Sequence, residues 1–301
     1  MVRQAYTYVA PSTLQETLHA LSDGFCQALP LAGGTHLLVN QRQDSVQPER
    51  LVDLRHLEEL KQIRYEGLAA QANIQANINI GALVTFAQLE HDLIIQQHIP
   101  LLTEMARTMG NPLIRAAATL GGNIAASHSI ITDAIGPLIA LDAVLVLQNS
   151  QSDAQASQRT MSVAEYVLQA PDPHELITWI SVPIPPDSSF SFYAKMSNRQ
   201  SGAAALASIA VSITHQDQHI TNASIVLSAL TPQPLRLSRV ESLLRGEKLP
   251  LGETVIDHCL HTLQANLLEP LSDIQASAVY RAALASALVK KALRQINQIR
   301  N

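Results

Sequence analysis

Two pairs of adjacent glycines are the residues of this 301-residue chain whose types and spacing suit chemistry. Gly33 and Gly34 form one pair, Gly121 and Gly122 form the other, and each pair lies close to a threonine. Glycine adopts positive φ angles and lets a ligand approach the main chain closely. Two facing rows of backbone N–H groups would make an anion site that needs no lysine. A diphosphate is the natural occupant, so the pattern predicts two glycine loops that bind one dinucleotide. Ordinary tight turns are the alternative.

Polar residues beside the glycines fit the same interpretation. Thr35 and Thr119 are expected to donate hydroxyls to phosphate, and Asn123 to brace its loop or contact the ligand. Local side-chain capping of the backbone is the alternative for these residues. A short strand over residues 28–31 runs into the first pair, as in a phosphate-binding βα turn. The chain nevertheless lacks the glycine pattern of a Rossmann unit and the Gly-Lys-Ser/Thr of a P-loop.

Composition excludes several functional classes. The formal net charge is -5 and no long basic run occurs, which argues against a nucleic-acid-binding protein. Cys26 and Cys259 stand outside any Cys/His cluster, so we expect no zinc or iron–sulfur centre on this chain. No apolar run reaches the roughly 18 residues of a membrane span, and no signal-peptide core is seen, so a cytoplasmic protein is expected. No Ser/His/Asp or Cys/His arrangement suggests side-chain catalysis, which favours chemistry carried by a cofactor.

Element patterns divide the chain into two parts. Strands and helices mix up to residue 182, and three prolines, Pro183, Pro185 and Pro186, mark a boundary. Strands followed by helices beyond it predict a small α+β domain. Thr13 and Glu16 predict a helix N-terminal capping box. Residues 119–123 are predicted to be a loop, and residues 149–158 an exposed hairpin loop.

Several segments together resemble a known family. The chain is similar to the FAD-binding subunit of the xanthine dehydrogenase / carbon monoxide dehydrogenase family of molybdenum hydroxylases, over nearly its whole length. The matching segments are residues 32–35 (Ala-Gly-Gly-Thr), 114–115 and 118–124 (Ile-Arg and Ala-Thr-Leu-Gly-Gly-Asn-Ile), Asp133 with 137–143, 193–199, 229–236 and 277–281. Each segment is weak alone, and their order and spacing carry the resemblance.

The resemblance implies a fold. Residues 1–182 would be an α+β, two-subdomain FAD-binding fold of the vanillyl-alcohol oxidase/MurB-like, PCMH type, with subdomains at about 1–57 and 58–182. Residues 188–301 would be a small α+β C-terminal flavoprotein domain.

The resemblance also implies FAD and the residues that bind it. Asp133 would accept hydrogen bonds from ribose or adenine, although an aspartate before a helix is commonly an N-cap. Lys195 would place a cation near the flavin and favour its anionic reduced form; a solvated lysine is the alternative. Met109 and Ile177 would pack near the cofactor, or belong to a plain core. The full implied set is Leu31, Ala32, Gly33, Gly34, Thr35, His36, Leu37, Leu38, Met109, Ala118, Thr119, Leu120, Gly121, Gly122, Asn123, Asp133, Ile177 and Lys195.

The resemblance finally implies partners and a function. A large molybdopterin-binding subunit and a small subunit with two two-iron iron–sulfur clusters would deliver electrons to FAD, which would reduce NAD, oxygen or another acceptor. The chain departs from the family pattern at His36, Ala116 and Ile130. These departures would suit a flavin-less assembly subunit of the same fold, and a stand-alone FAD oxidase is a further alternative. Substrate, acceptor and oligomeric state stay open.

Overall fold

The computed structural model describes residues 6–22, 26–43, 46–67, 76–128, 132–150, 156–199 and 204–298. They form two compact units: Met1–Leu89, Pro112–Ser129 and Ala143–Pro183 belong to the first, and Glu90–Asn111, Ile130–Asp142 and Ile184–Asn301 to the second. The units interleave along the chain, whereas the predicted domains are continuous, so those domain bounds stay a prediction.

Helices and strands are numbered in chain order. The strands are β1 (Thr7–Val9), β2 (Ala28–Leu31), β3 (Arg50–Asp53), β4 (Ile63–Glu66), β5 (Asn77–Gly81), β6 (Val144–Ser150), β7 (Ala156–Ser162), β8 (Glu175–Pro183), β9 (Ser189–Ser197), β10 (Ala205–Gln216), β11 (His219–Ser228) and β12 (Leu235–Arg236). The helices are α1 (Leu14–Ser22), α2 (Leu37–Arg42), α3 (Phe86–His91), α4 (Leu93–His98), α5 (Pro100–Thr108), α6 (Pro112–Ala117), α7 (Leu120–Ala126), α8 (Ile135–Ala140), α9 (Val163–Tyr166), α10 (Ser238–Leu244), α11 (Glu253–Asn266) and α12 (Ala278–Ile296), with a 3₁₀ turn at Glu58–Lys61.

The first unit contains two sheets. A three-stranded parallel sheet has the order β1-β3-β2, so the carboxyl ends of β2 and β3 are neighbours. A five-stranded antiparallel sheet has the order β4-β5-β8-β6-β7. Helix α1 begins with the predicted capping box, in which the Thr13 hydroxyl accepts from the Glu16 N–H and the Glu16 carboxylate accepts from the Thr13 N–H, each at 3.2 Å.

The second unit is built on one antiparallel sheet with the order β12-β11-β10-β9. Apolar side chains of β10 and β11 pack with α10, α11 and α12 in one buried core. Arg281 of α12 is inside this core and only 1% exposed. Its guanidinium donates to the carbonyls of Leu206 (2.6 Å) and Ala229 (2.8 Å) and to Asp273 (2.7 Å).

Three local predictions need correction or completion. Residues 119–123 are not a loop, because they contain the first turn of α7. The glycine and proline at positions 110 and 112 predict a helix end, and α5 does end before them. Pro112 also begins α6, because proline lacks an N–H that the first helical turn does not need. The predicted exposed loop at 149–158 is shorter, because β6 reaches Ser150 and β7 starts at Ala156; residues 151–155 lie outside the described residues.

The described residues contain neither a membrane-spanning helix nor a metal-binding cluster. Among these residues, none of the helices combines the length and the apolar character that a membrane crossing requires. The described part of the chain also holds no group of three or more His, Cys, Asp or Glu residues placed to hold a metal ion. Cys26 and Cys259 are free thiols.

Candidate functional site

The first glycine pair lies where β2 ends and the chain turns toward α2. Gly34 has a φ of 69°, which favours glycine. A Cβ atom on Gly33 would lie 1.8 Å from the carbonyl oxygen of Ala117, which is backbone and cannot swing away. The chain therefore passes directly against the end of α6 at this point. Any side chain at position 33 would separate the two segments.

The second glycine pair lies in the first turn of α7, where Thr119 is the N-cap. The Thr119 hydroxyl accepts from the N–H of Gly122 at 3.2 Å. The N–H of Leu120 donates to Val84, and that of Gly121 donates to Ala82, each at 2.9 Å. The N–H groups of this turn are thus engaged within the protein. They do not form the second free row that the glycine pattern predicted.

Gly121 and Gly122 are instead required by close packing. A Cβ on Gly121 would lie 2.6 Å from the Ala82 side chain and 2.9 Å from the Ala82 carbonyl oxygen. A Cβ on Gly122 would lie 2.8 Å from the capping oxygen of Thr119. Gly121 therefore lets the first turn of α7 pack against Ala82. Gly122 leaves room for the hydroxyl of the N-cap residue Thr119.

The first loop, residues 33–35 between β2 and α2, has backbone N–H groups that are not used in hydrogen bonds within the described structure. Among the described residues, none accepts a hydrogen bond from the N–H of Gly33, Gly34 or Thr35. Successive N–H groups in a turn form a concave anion-binding surface. One row of donors is therefore present, on the loop between β2 and α2.

A cavity of about 450 Å³ opens on this loop, within the first unit. Such a volume is in the range of small-molecule and cofactor sites. Its lining consists of Leu31, Ala32, Gly33, Gly34, Leu38, Arg55, Lys61, Leu83, Thr85, Gln88, Ala116, Ala117 and Thr119. Six predicted residues belong to that lining: Leu31, Ala32, Gly33, Gly34, Leu38 and Thr119. The predicted residues of this unit outside the lining are Thr35, His36, Leu37, Ala118, Leu120, Gly121, Gly122, Asn123 and Ile177.

Several lining residues were missed by sequence reasoning, and Arg55 and Lys61 are the charged ones. A signal for Arg55 existed, because it follows β3, and consecutive parallel strands place the residues after them at one sheet edge. Arg55 lies against the fully buried Asp53, with Nη2 2.6 Å from Oδ2 and Nε 2.9 Å from Oδ1. The hydroxyl of Tyr8 also donates to Asp53. Lys61 pairs with Glu58 at 2.6 Å.

This arrangement fixes the charge of Asp53. Burial acts to raise the pKa of its carboxyl, but hydrogen bonds from Arg55 and Tyr8 outweigh burial and lower the pKa to about 2. Asp53 is therefore ionised at every pH at which proteins ordinarily work.

Other predicted positions of the first unit have ordinary surroundings. Ile177 is buried in β8 opposite Leu147 of β6. The His36 ring is 2.9 Å from the Asn40 amide, one helical turn onward. Ala116, one of the three departures from the family pattern, is exposed and lines the cavity. Its small side chain therefore leaves open space in the cavity. Ile130 lies outside the described residues.

In the second unit, Asp133 and Lys195 form a largely buried ion pair with Nζ 2.6 Å from Oδ2. The Lys195 side chain is 5% exposed, which contradicts the alternative of a solvated lysine. The N-cap of α8 is Ala134, so Asp133 is not the cap of that helix. Burial raises the pKa of Asp133, while the Lys195 ammonium acts in the opposite direction. Met109 follows α5 and is partly buried.

We expect Thr119→Val to lower stability by about 1 kcal/mol, because it removes the cap of α7. It should also weaken cofactor binding, since the hydroxyl hydrogen at the cavity wall is lost as well. Thr119→Ser keeps the hydroxyl and should retain both properties. Thermal unfolding and a titration with FAD check this prediction. Equal stability and equal FAD affinity of the two variants would contradict it.

Comparison with known proteins supports a single family. The family model described as "FAD binding domain in molybdopterin dehydrogenase" matches residues 4–185, and the one described as "CO dehydrogenase flavoprotein C-terminal domain" matches residues 191–296. The carbon monoxide dehydrogenase medium chain of Hydrogenophaga pseudoflava is 28% identical, with 97% of each chain covered. The nicotinate dehydrogenase FAD-subunit of Eubacterium barkeri is 29% identical over 82% of this chain and 81% of that protein.

Solved structures give the same result. A crystal structure of the Cu,Mo-CO dehydrogenase in its cyanide-inactivated form contains a chain that matches with a TM-score of 0.86. The two chains are 26% identical, and the match covers 99% of each. The predicted family and α+β fold are confirmed. The chain belongs to the FAD-binding medium subunits of the molybdopterin dehydrogenases, has FAD as its cofactor and is an oxidoreductase subunit.

Proposed function

We propose that this chain is the electron-transfer flavin subunit of a molybdenum hydroxylase complex. Electrons arrive from two two-iron clusters of a small partner subunit, after a substrate is oxidised on a large molybdopterin-binding subunit. They leave through FAD to NAD or another acceptor. The observation that carries the proposal is a cavity lined by Gly33 and Gly34, whose loop has open N–H groups from Gly33 to Thr35, in a chain that has the family's FAD-binding domain.

The residues at this cavity suit a flavin dinucleotide. The N–H row of the first loop binds the diphosphate, and the Thr119 hydroxyl adds a donor. Leu31, Leu38 and Leu83 supply apolar wall that excludes water around the anion. A charged group gains more from hydrogen bonds where water is excluded. FAD supplies the redox chemistry, and the chain supplies position and electrostatics.

Residues of the second unit enter the proposal through the family resemblance. Asp133 has an oxygen, Oδ1, left to accept a hydrogen bond from ribose or adenine, because Lys195 bonds to Oδ2. The Lys195 ammonium bonds to Asp133 and, at 3.4 Å, to the Thr108 carbonyl, which leaves one of its three donors. Met109 and Ile177 are proposed as apolar neighbours of the cofactor. The cytoplasmic location stays a prediction.

Purification of the chain with its natural partners tests the proposal. Molybdenum and iron should accompany the chain, and a reduced iron–sulfur partner should bleach the flavin before any acceptor is added. A chain that purifies with its partner subunits but contains no flavin would instead be an assembly subunit. A chain that purifies alone and oxidises an organic substrate would identify a stand-alone oxidase.

A further inference from the structure

Arg55 is the charged residue of the cavity with the most constrained side chain. Its Nε and Nη2 atoms both bond to the carboxylate of Asp53, at distances between 2.6 and 3.0 Å. Its own backbone N–H also donates to Asp53, at 2.9 Å. The guanidinium is thus fixed on one edge by a carboxylate only two residues earlier.

Asp53 is in turn held in place by the sheet and by Tyr8. It ends strand β3, it is 0% exposed, and its Oδ2 accepts from the Tyr8 hydroxyl as well as from Arg55. Tyr8 lies in β1, which pairs with β3 in the parallel sheet. Strands β1 and β3 therefore fix the position of the Asp53 carboxylate. That carboxylate in turn fixes the guanidinium of Arg55.

The cation, and not the carboxylate, is the accessible member of this pair. The Arg55 side chain is 63% exposed, whereas that of Asp53 is completely buried. In the described part of the chain, Nη1 of Arg55 donates to no acceptor. The guanidinium of Arg55 therefore has unused donors at the cavity. Its bonds to Asp53 orient it before a ligand binds.

Lys61 differs from Arg55 in this respect. It also lines the cavity, but its partner Glu58 is 77% exposed and lies one turn earlier in the same 3₁₀ segment. Exposed pairs of this kind contribute little and move easily. Lys61 adds charge near the cavity without a fixed geometry.

We propose that Arg55 binds the diphosphate of the flavin dinucleotide together with the donors of the Gly33–Thr35 loop, and that Asp53 and Tyr8 are the residues that orient it. The inference rests on the proposed function, because it assumes that the cavity takes FAD. Arginine suits the role because its planar fork serves one carboxylate and one phosphate at once. A pre-oriented cation also costs little side-chain entropy on binding.

A titration of the full-length apoprotein with FAD, followed by flavin fluorescence, tests Arg55. Arg55→Gln should raise the Kd for FAD about tenfold at low salt, the effect of one charge-assisted hydrogen bond at a partly exposed site. The difference should shrink to about threefold near 0.5 M salt, where exposed charges are screened. The Kd of Arg55→Lys should lie between those of the wild type and Arg55→Gln, because lysine keeps the charge but lacks the planar guanidinium.

A flavin without phosphate separates this role from a structural one. Riboflavin should bind Arg55→Gln and the wild type equally. Tyr8→Phe removes the hydroxyl that donates to Oδ2 of Asp53 and accepts from Nη2 of Arg55 at 3.5 Å, and it should weaken FAD binding about two- to threefold, again without affecting riboflavin. Arg159→Gln is the matched control, because Arg159 makes a similar two-point pair with Glu175 but does not line the cavity.

The outcomes are distinct. An unchanged Kd for FAD in Arg55→Gln, beside a wild type that binds FAD, overturns the role of Arg55 and leaves the proposed function intact. Equal weakening for FAD and riboflavin also overturns it, because a phosphate contact would then not be the cause. A wild type that binds no FAD overturns the proposed function itself.

Discussion

Replacing Gly33 with alanine is expected to give a folded chain that purifies without FAD. The added Cβ would lie 1.8 Å from the oxygen and 2.6 Å from the carbon of the Ala117 carbonyl. Both atoms are backbone, so the first loop and the end of α6 must move apart. That movement displaces the row of open N–H groups. We expect FAD affinity to fall about a hundredfold or more, since several charge-assisted hydrogen bonds are lost together.

The measurement for this variant is FAD released per chain, with circular dichroism as the check on folding. Gly252→Ala serves as a matched control, because its Cβ would meet only the Thr254 hydroxyl, at 3.7 Å. The control should keep the FAD content of the wild type. A folded Gly33→Ala chain with full FAD content would contradict the site.

Replacing Arg281 with methionine is expected to lower the free energy of unfolding by about 3–5 kcal/mol. Methionine fills much of the same space but donates no hydrogen bond. The carbonyls of Leu206 and Ala229 would then lose the guanidinium that satisfies them inside the core. Buried polar groups left without a partner are costly because water does not reach them.

Urea unfolding followed by circular dichroism measures this effect. Arg294→Gln is the control: Arg294 is on the same helix, is 54% exposed and pairs loosely with Glu253 at 3.3 Å. Its replacement should change stability by less than about 1 kcal/mol, as for other surface pairs. A similar loss in both variants would contradict the role assigned to the buried guanidinium.

Local features of the fold were predictable from sequence because short-range patterns determine them. The Thr13–Glu16 capping box needs only residues three apart, and the structure has both of its hydrogen bonds. Strand β2 has the predicted bounds, Ala28–Leu31. In each case, hydrophobic spacing and neighbouring turn residues act within one segment.

Features that depend on distant partners were not predictable. The glycine pair at 121–122 is typical of an open loop, yet Val84 and Ala82 accept the N–H groups of Leu120 and Gly121. No spacing rule within the segment reveals those acceptors. Lys195 looked like a surface lysine because its ion-pair partner Asp133 is 62 residues away in sequence.

The central claim is that this chain binds FAD at the Gly33–Thr35 loop. The most direct test is an absorbance spectrum of the purified wild-type chain, followed by denaturation and identification of the released cofactor. We expect flavin bands and about one FAD per chain, as the cofactor class requires. A colourless protein that takes up no added FAD would contradict the claim.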